Sequence, residues 1–169
     1  AHSWVMVPIA IAALVVLGLA LTGRPRLARL LIPLGIAVIA IALLVDRFYA
    51  GVRADALLGP VFEPLLHGRW DAHLARMVDF WCTACKLQRD FRGNVYDKHM
   101  ALPEIRLAHL LRWLRLWKRH TEALFAPQDA ARLWRVALGV AHVLHLGWFG
   151  ELPRPEALQA QVEREASPA

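Results

Sequence analysis

A chain of 169 residues is long enough to bury a core of its own, and a single domain is the natural expectation. Its hydrophobic fraction of 57% is too high for an ordinary soluble domain, so part of it is expected to meet lipid. The net charge of +6 is no footprint for nucleic acid: residues 1–45 hold Arg24, Arg26 and Arg29 with no acidic group, which leaves 17 basic against 14 acidic side chains elsewhere.

Trp4 to Thr22 is an uncharged run of 19 residues, about 28 Å as a helix and so about the depth of a bilayer's hydrocarbon core. It is longer than a signal-peptide core, has no basic leader, and carries its positive charges after it, so it reads as a transmembrane anchor. Leu30–Val45 is a second apolar run, interrupted by Pro33. It is either a second span or a lead-in to the first globular helix. With one span, Arg24, Arg26 and Arg29 place the globular part inside; with two it lies outside. The preferred reading is one span.

From Ile41 the apolar positions Leu44, Val45, Phe48 and Val52 recur with helical spacing, and Leu58-Gly59-Pro60 should stop that helix. Glu63–Arg69 reads as irregular. A helix over Trp70–Lys86 carries His73, Met77, Phe80, Trp81 and Ala84 along one side. Leu87–Val95 is a loop, Tyr96–Ala101 a short helix ended by Pro103, and Ile105–Leu124 a third long helix. Pro127 opens a fourth, to about Leu146, since proline suits a first turn. From Glu151 on, a polar, proline-bearing tail is expected to be mobile. No segment alternates with period two, so the fold class is all-α. The domain limits are 1–40 for the anchor (one span over 4–22, a possible second over 30–45), 41–149 for the globular part and 150–169 for the tail.

His99 is the sharpest candidate for chemistry. A histidine in a helical protein is ordinarily a surface or satisfied core residue. At the end of a short helix, with Tyr, His and Trp available from other helices, it can instead be the axial ligand of a haem. Tyr49, His73 and Trp113 each have an equally plain reading as packing or surface residues. Cys82-Thr83-Ala84-Cys85 is followed by Lys86, not the His of a covalent haem attachment, and two further zinc ligands are lacking, so buried structural cysteines are expected. His142 and His145, one helical turn apart, read as packing or surface residues.

Six pieces in order carry a resemblance to a known family. They are Val45-Asp46-Arg47-Phe48-Tyr49-Ala50-Gly51-Val52-Arg53-Ala54-Asp55 with Leu58-Gly59-Pro60-Val61-Phe62; Trp70-Asp71-Ala72-His73; Asp79-Phe80-Trp81; Gly93-Asn94; His99 with Leu102-Pro103; and Arg112-Trp113-Leu114. Over about residues 41–149 the sequence resembles the group III truncated haemoglobins. The resemblance implies a two-over-two helical sandwich around haem b, here preceded by one or two transmembrane helices. By position, His99 matches the proximal iron ligand, Tyr49, His73 and Trp113 the distal residues, Phe62 an aromatic that packs on the haem, and Phe80 and Trp81 the distal aromatic pair. Phe48 and Met77 complete the expected pocket. Where the family carries a Gly-containing segment and a Pro before the proximal histidine, this chain has Cys85-Lys86-Leu87-Gln88-Arg89 and Val95.

The resemblance implies a membrane-anchored protein binding O₂, and NO or CO, at a five-coordinate haem. Oxygen binding or delivery to a membrane respiratory or oxygenase complex needs no further chemistry. Removal of NO as nitrate would need an external reductase, for no flavin or nicotinamide motif is present. The alternative is a globin-fold accessory subunit of a membrane complex with haem absent or incidental. The expected location is a bacterial inner membrane with the globin on the cytoplasmic side.

Overall fold

The computed structural model describes residues 10, 14, 18, 25–89, 91–102 and 104–164, and of 25–32 the backbone alone. The expected span over 4–22, apart from residues 10, 14 and 18, together with Pro103 and the chain beyond Arg164, therefore lies outside the described residues. The described residues are helical, without strands, and the elements in order are α1 (Pro25–Ala54), α2 (Gly59–Leu66), α3 (Trp70–Ala84), α4 (Val95–Met100), α5 (Leu107–Leu124), α6 (Pro127–Phe149) and α7 (Pro155–Arg164). They fall into two compact units. The first takes the chain up to Tyr49 together with Leu66–Phe91; the second takes Ala50–Leu65 and the chain from Arg92.

α1, which belongs to the first unit as far as Tyr49 and to the second beyond it, is one helix of 30 residues that runs through Pro33. Leu30–Val45 thus continues without a break into the helix of Phe48 and Tyr49. From Ile41 its buried positions are Ile41, Ala42, Leu44, Val45, Phe48, Tyr49 and Val52, a stripe at helical spacing facing protein. Pro33–Ala54 is long and apolar enough to cross a membrane, but a buried core helix passes the same test. α3 buries Trp70, Leu74, Val78, Trp81 and Cys82, the three- and four-residue spacing of an amphipathic helix. At its end Lys86 takes φ 60°, and the Leu87 N–H donates to the Cys82 carbonyl at 2.8 Å. That left-handed position is where glycine is unstrained, and this chain carries a lysine there.

In the second unit, Asp55 ends α1 and prepares α2. Its Oδ1 accepts the N–H groups of Leu57 at 3.0 Å and Leu58 at 3.1 Å, and its Oδ2 accepts from Arg112 Nε at 2.7 Å. Burial alone would raise the Asp55 pKa. The Leu58 and Leu57 amides and the Arg112 guanidinium together outweigh it, and the carboxyl titrates below its ordinary value. Gly59-Pro60 opens α2, so Glu63–Leu66, read from sequence as irregular, is helical. A Cβ at Gly59 would lie 2.7 Å from the Arg53 carbonyl oxygen, which accounts for the glycine.

α5 and α6 form a hairpin across Phe125-Ala126, and so short a connection makes them antiparallel neighbours. At the start of α5, His109 accepts the Arg106 N–H at 2.9 Å, the part a Glu or Gln takes in a capping box. Trp117, fully buried, donates from Nε1 to the Leu133 carbonyl at 3.4 Å. Pro127 starts α6 as expected, and Gly150, at φ 72°, stops it three residues later than Leu146. The region expected as a mobile polar tail is corrected: Pro155–Arg164 is a helix whose Leu158 and Val162 are buried and which packs on α5 and α6. Two apolar positions four residues apart suffice to seat it.

Candidate functional site

The residues singled out from sequence divide between the two units. In the first, Tyr49 is the centre of an aromatic cluster. Its ring meets Phe48 edge-on at 4.9 Å, His73 edge-on at 5.2 Å and Trp70 at 6.3 Å, with Trp70 and His73 6.0 Å apart. The cause lies in the local sequence: α1 presents Tyr49 from its buried stripe, and the first turn of α3 presents Trp70 and His73 at i and i+3. Burial pushes the Tyr49 phenol well above its ordinary range, so Oη keeps its proton and remains a donor. Further along α3, Phe80 packs on Trp81 at 5.2 Å and on Phe91 at 5.3 Å. Phe91 is tied back by its N–H to Thr83 Oγ1 at 3.2 Å. Met77 is half-buried on the same helix. Cys82 is buried and Cys85 half-buried, with no disulfide between them.

In the second unit, His99 sits in α4, a helix of six residues that begins at Asn94. Asn94 Oδ1 accepts the Asp97 N–H at 3.0 Å, the N-cap that starts the helix. His99 Nδ1 lies 2.7 Å from the Val95 carbonyl oxygen. A carbonyl can only accept, so Nδ1 carries the hydrogen and Nε2 carries the unshared pair. Burial holds the His99 pKa below its ordinary value, opposed by the Val95 hydrogen bond, and the neutral ring prevails. A neutral imidazole with its other nitrogen tied to a carbonyl is the form that ligates a metal. Trp113, half-buried on α5, lies parallel to Trp117 at 5.9 Å, and Phe62 is half-buried on α2. No cluster of three or more His, Cys, Asp or Glu side chains suited to a metal occurs among the described residues.

One contact with His99 went unforeseen. Trp148 Nε1 donates to the His99 carbonyl at 3.0 Å, and its ring centroid lies 5.9 Å from the imidazole. The signal was present in sequence: Gly150 is a natural C′ residue, and a helix continued to it carries Trp148 four residues beyond Leu144. His145, expected as packing or surface, is buried and held by Nδ1 against the Glu151 carbonyl at 2.9 Å.

The described helices have the fold of a truncated haemoglobin, as a likeness to a solved structure shows. No family model matches the sequence. The structure matches the crystal structure of the group III truncated haemoglobin from Campylobacter jejuni with a TM-score of 0.63 and 24% identity, over 68% of this chain and 93% of that one. The sequence is 29% identical over 89 residues to the group 3 truncated hemoglobin ctb of Campylobacter jejuni, covering 51% of this chain and 70% of that protein. Together these likenesses support homology to the group III truncated haemoglobins.

Proposed function

We propose that this protein is a haem-binding globin that takes up O₂, with NO and CO as further ligands, and that the apolar run over residues 4–22 holds it at a membrane. The observation that carries the reading is the His99 imidazole: neutral, with Nδ1–H held by the Val95 carbonyl and the Nε2 pair unshared. That donor set fits haem iron, whose usual globin ligand is one neutral imidazole. Haem b, when bound, supplies an iron with one position left for a diatomic gas.

The chain's own residues do the rest. His99 Nε2 would hold the iron, with Val95 fixing the tautomer and the ring direction. Tyr49 holds its proton on Oη and would offer it as a donor to a gas that carries partial negative charge. His73 and the Trp113 indole are the further donors. Phe48, Phe62, Met77, Phe80 and Trp81 supply apolar surface that keeps water away from the bound gas. The primary role is reversible O₂ binding, with delivery to a membrane oxidase or oxygenase its simplest use. Nitrate formation from NO and O₂ at the same site consumes one electron, which an external reductase would provide.

An absorption spectrum of the full-length protein tests the reading. A Soret band that shifts with CO, lost in His99→Ala, is the expected result. If no band forms after haem supplementation, the globin-fold accessory subunit takes its place.

A further inference from the structure

The helix that bears His99 has little to hold it. α4 is six residues long and none is fully buried; a helix of that length is not stable on its own. Its N-terminus has the Asn94 cap, but the end nearer His99 is secured from outside, by two consecutive residues of α6.

The first is Gly147. A Cβ there would collide with Met100 Sδ and would stand 2.6 Å from Cε2 and 2.7 Å from Oη of Tyr96. The missing side chain is what lets α4 seat both its own side chains against α6. The second is Trp148. Its indole N–H donates to the His99 carbonyl at 3.0 Å, and the Leu102 N–H donates to the same oxygen at 3.0 Å. Both lone pairs of a carbonyl that a helix end would leave exposed are thereby used. The Trp148 ring also flanks the imidazole, with the planes at 59°. His99 is thus gripped at the ring by Val95 and Trp148 and at the backbone by Trp148 and Leu102. Rotation about the side chain and displacement of the backbone are both opposed.

We infer that Trp148 is a positioning residue for the iron ligand: it fixes the His99 backbone, and through it the direction of the Nε2 lone pair, while Gly147 provides the seat that brings Trp148 within reach. The inference rests on the reading of His99 as the ligand. It adds a residue that touches neither the iron nor the gas. Trp148 acts only through His99. A ligand that must meet the iron along one line loses bond strength when its helix can drift, so the effect belongs to the iron–histidine bond more than to overall stability.

The test compares the full-length wild-type protein with Trp148→Phe, which keeps an aromatic ring and removes the donor, and with Gly147→Ala, which keeps the donor and blocks the seat. Amide exchange is followed with and without haem, and the iron–histidine stretching band is recorded in the ferrous protein. Loss of one hydrogen bond should speed exchange of the Met100 to Leu102 amides by about fivefold in Trp148→Phe, with the amides of Leu114 and Trp117 unchanged. The stretching band should broaden or shift in both variants. Unchanged exchange at the end of α4 together with an unchanged band in Trp148→Phe would overturn the inference, as would a uniform increase in exchange across α5 and α6. If the wild-type protein binds no haem through His99, the ligand reading fails by itself. The exchange comparison in the haem-free chain then decides the positioning role: faster exchange confined to α4 upholds it, and equal exchange overturns it.

Discussion

Replacing Tyr49 by phenylalanine isolates the proposed donor from the packing around it. The three ring contacts of Tyr49, to Phe48, His73 and Trp70, are made by the ring and survive the change. The buried hydroxyl is removed without leaving a charged partner behind, so the stability change should stay below about 1 kcal/mol. The effect on ligand should be larger. A donor to an acceptor with partial negative charge contributes about 1.5–3 kcal/mol, which converts to roughly a 10- to 100-fold faster O₂ release. His73 and Trp113 offer further donors, so the lower end, about tenfold, is expected. CO gains far less negative charge than O₂, and its release should change little. The assay is stopped-flow displacement of O₂ by CO, with NO displacement of CO as the control. An unchanged O₂ rate refutes the donor role. Equal acceleration of both gases refutes it differently, since it would mean that the substitution opened the pocket.

Two further outcomes follow from the second unit. Leu158→Ala in the fully buried face of α7 should destabilise the protein by about 2–4 kcal/mol, read as a lower urea midpoint; a midpoint within about 0.5 kcal/mol of wild type would show that α7 is an appendage. Asp55→Ala should cost about 1–2 kcal/mol near neutral pH through the lost Leu57 and Leu58 bonds. Because the folded pKa of Asp55 is depressed, its contribution is present above the unfolded carboxylate value of about 4 and is lost as pH falls through the lower folded value. Wild type and Asp55→Ala should therefore converge in stability below about pH 4; a gap that stays constant down to pH 2.5 in urea titrations would count against the assignment.

The elements that repeat a local rule were legible before any coordinates. The buried stripe of α1 and the proline that opens α6 follow from three- and four-residue spacing and from proline's fixed φ; on α3 the buried stripe is Trp70, Leu74, Val78, Trp81 and Cys82, which shares only Trp81 with the side expected from sequence. His99, Tyr49 and His73 stood out because they occupy ordered motif positions. What sequence did not yield were features set by tertiary contact. Gly59-Pro60 reads as a stop for one helix and also begins the next, because Asp55 turns the chain by accepting two amides. The helix over Pro155–Arg164 looks polar, and only its packing against α5 and α6 shows that Leu158 and Val162 are enough. Trp148 lay past the expected helix end at about Leu146; Gly150 marks where the helix stops, but the partner of the indole N–H is set by tertiary contact. The Nδ1 bond that sets the His99 tautomer is likewise invisible in a list of residues, since any helix offers a carbonyl four residues back but not always to a ring.

The length of α1 bears on where a membrane crossing can lie. From Ile41 onward its inward face is occupied by the protein's own core, so that part is not available to face lipid all round. The part of α1 before it, residues 25–40, amounts to about 24 Å of helix at 1.5 Å per residue, short of a hydrocarbon core of about 30 Å. That stretch also carries Arg26 and Arg29, which are costly at mid-bilayer and favourable at its surface. Under the proposed reading of residues 4–22 as the anchor, Arg24, Arg26 and Arg29 would sit at a membrane interface, and the apolar residues of 30–40 would lead into the rest of α1. The proposed crossing falls on residues 4–22, where 19 uncharged residues meet the required length, and a single span there would keep His99 and Tyr49 on the same side as those arginines.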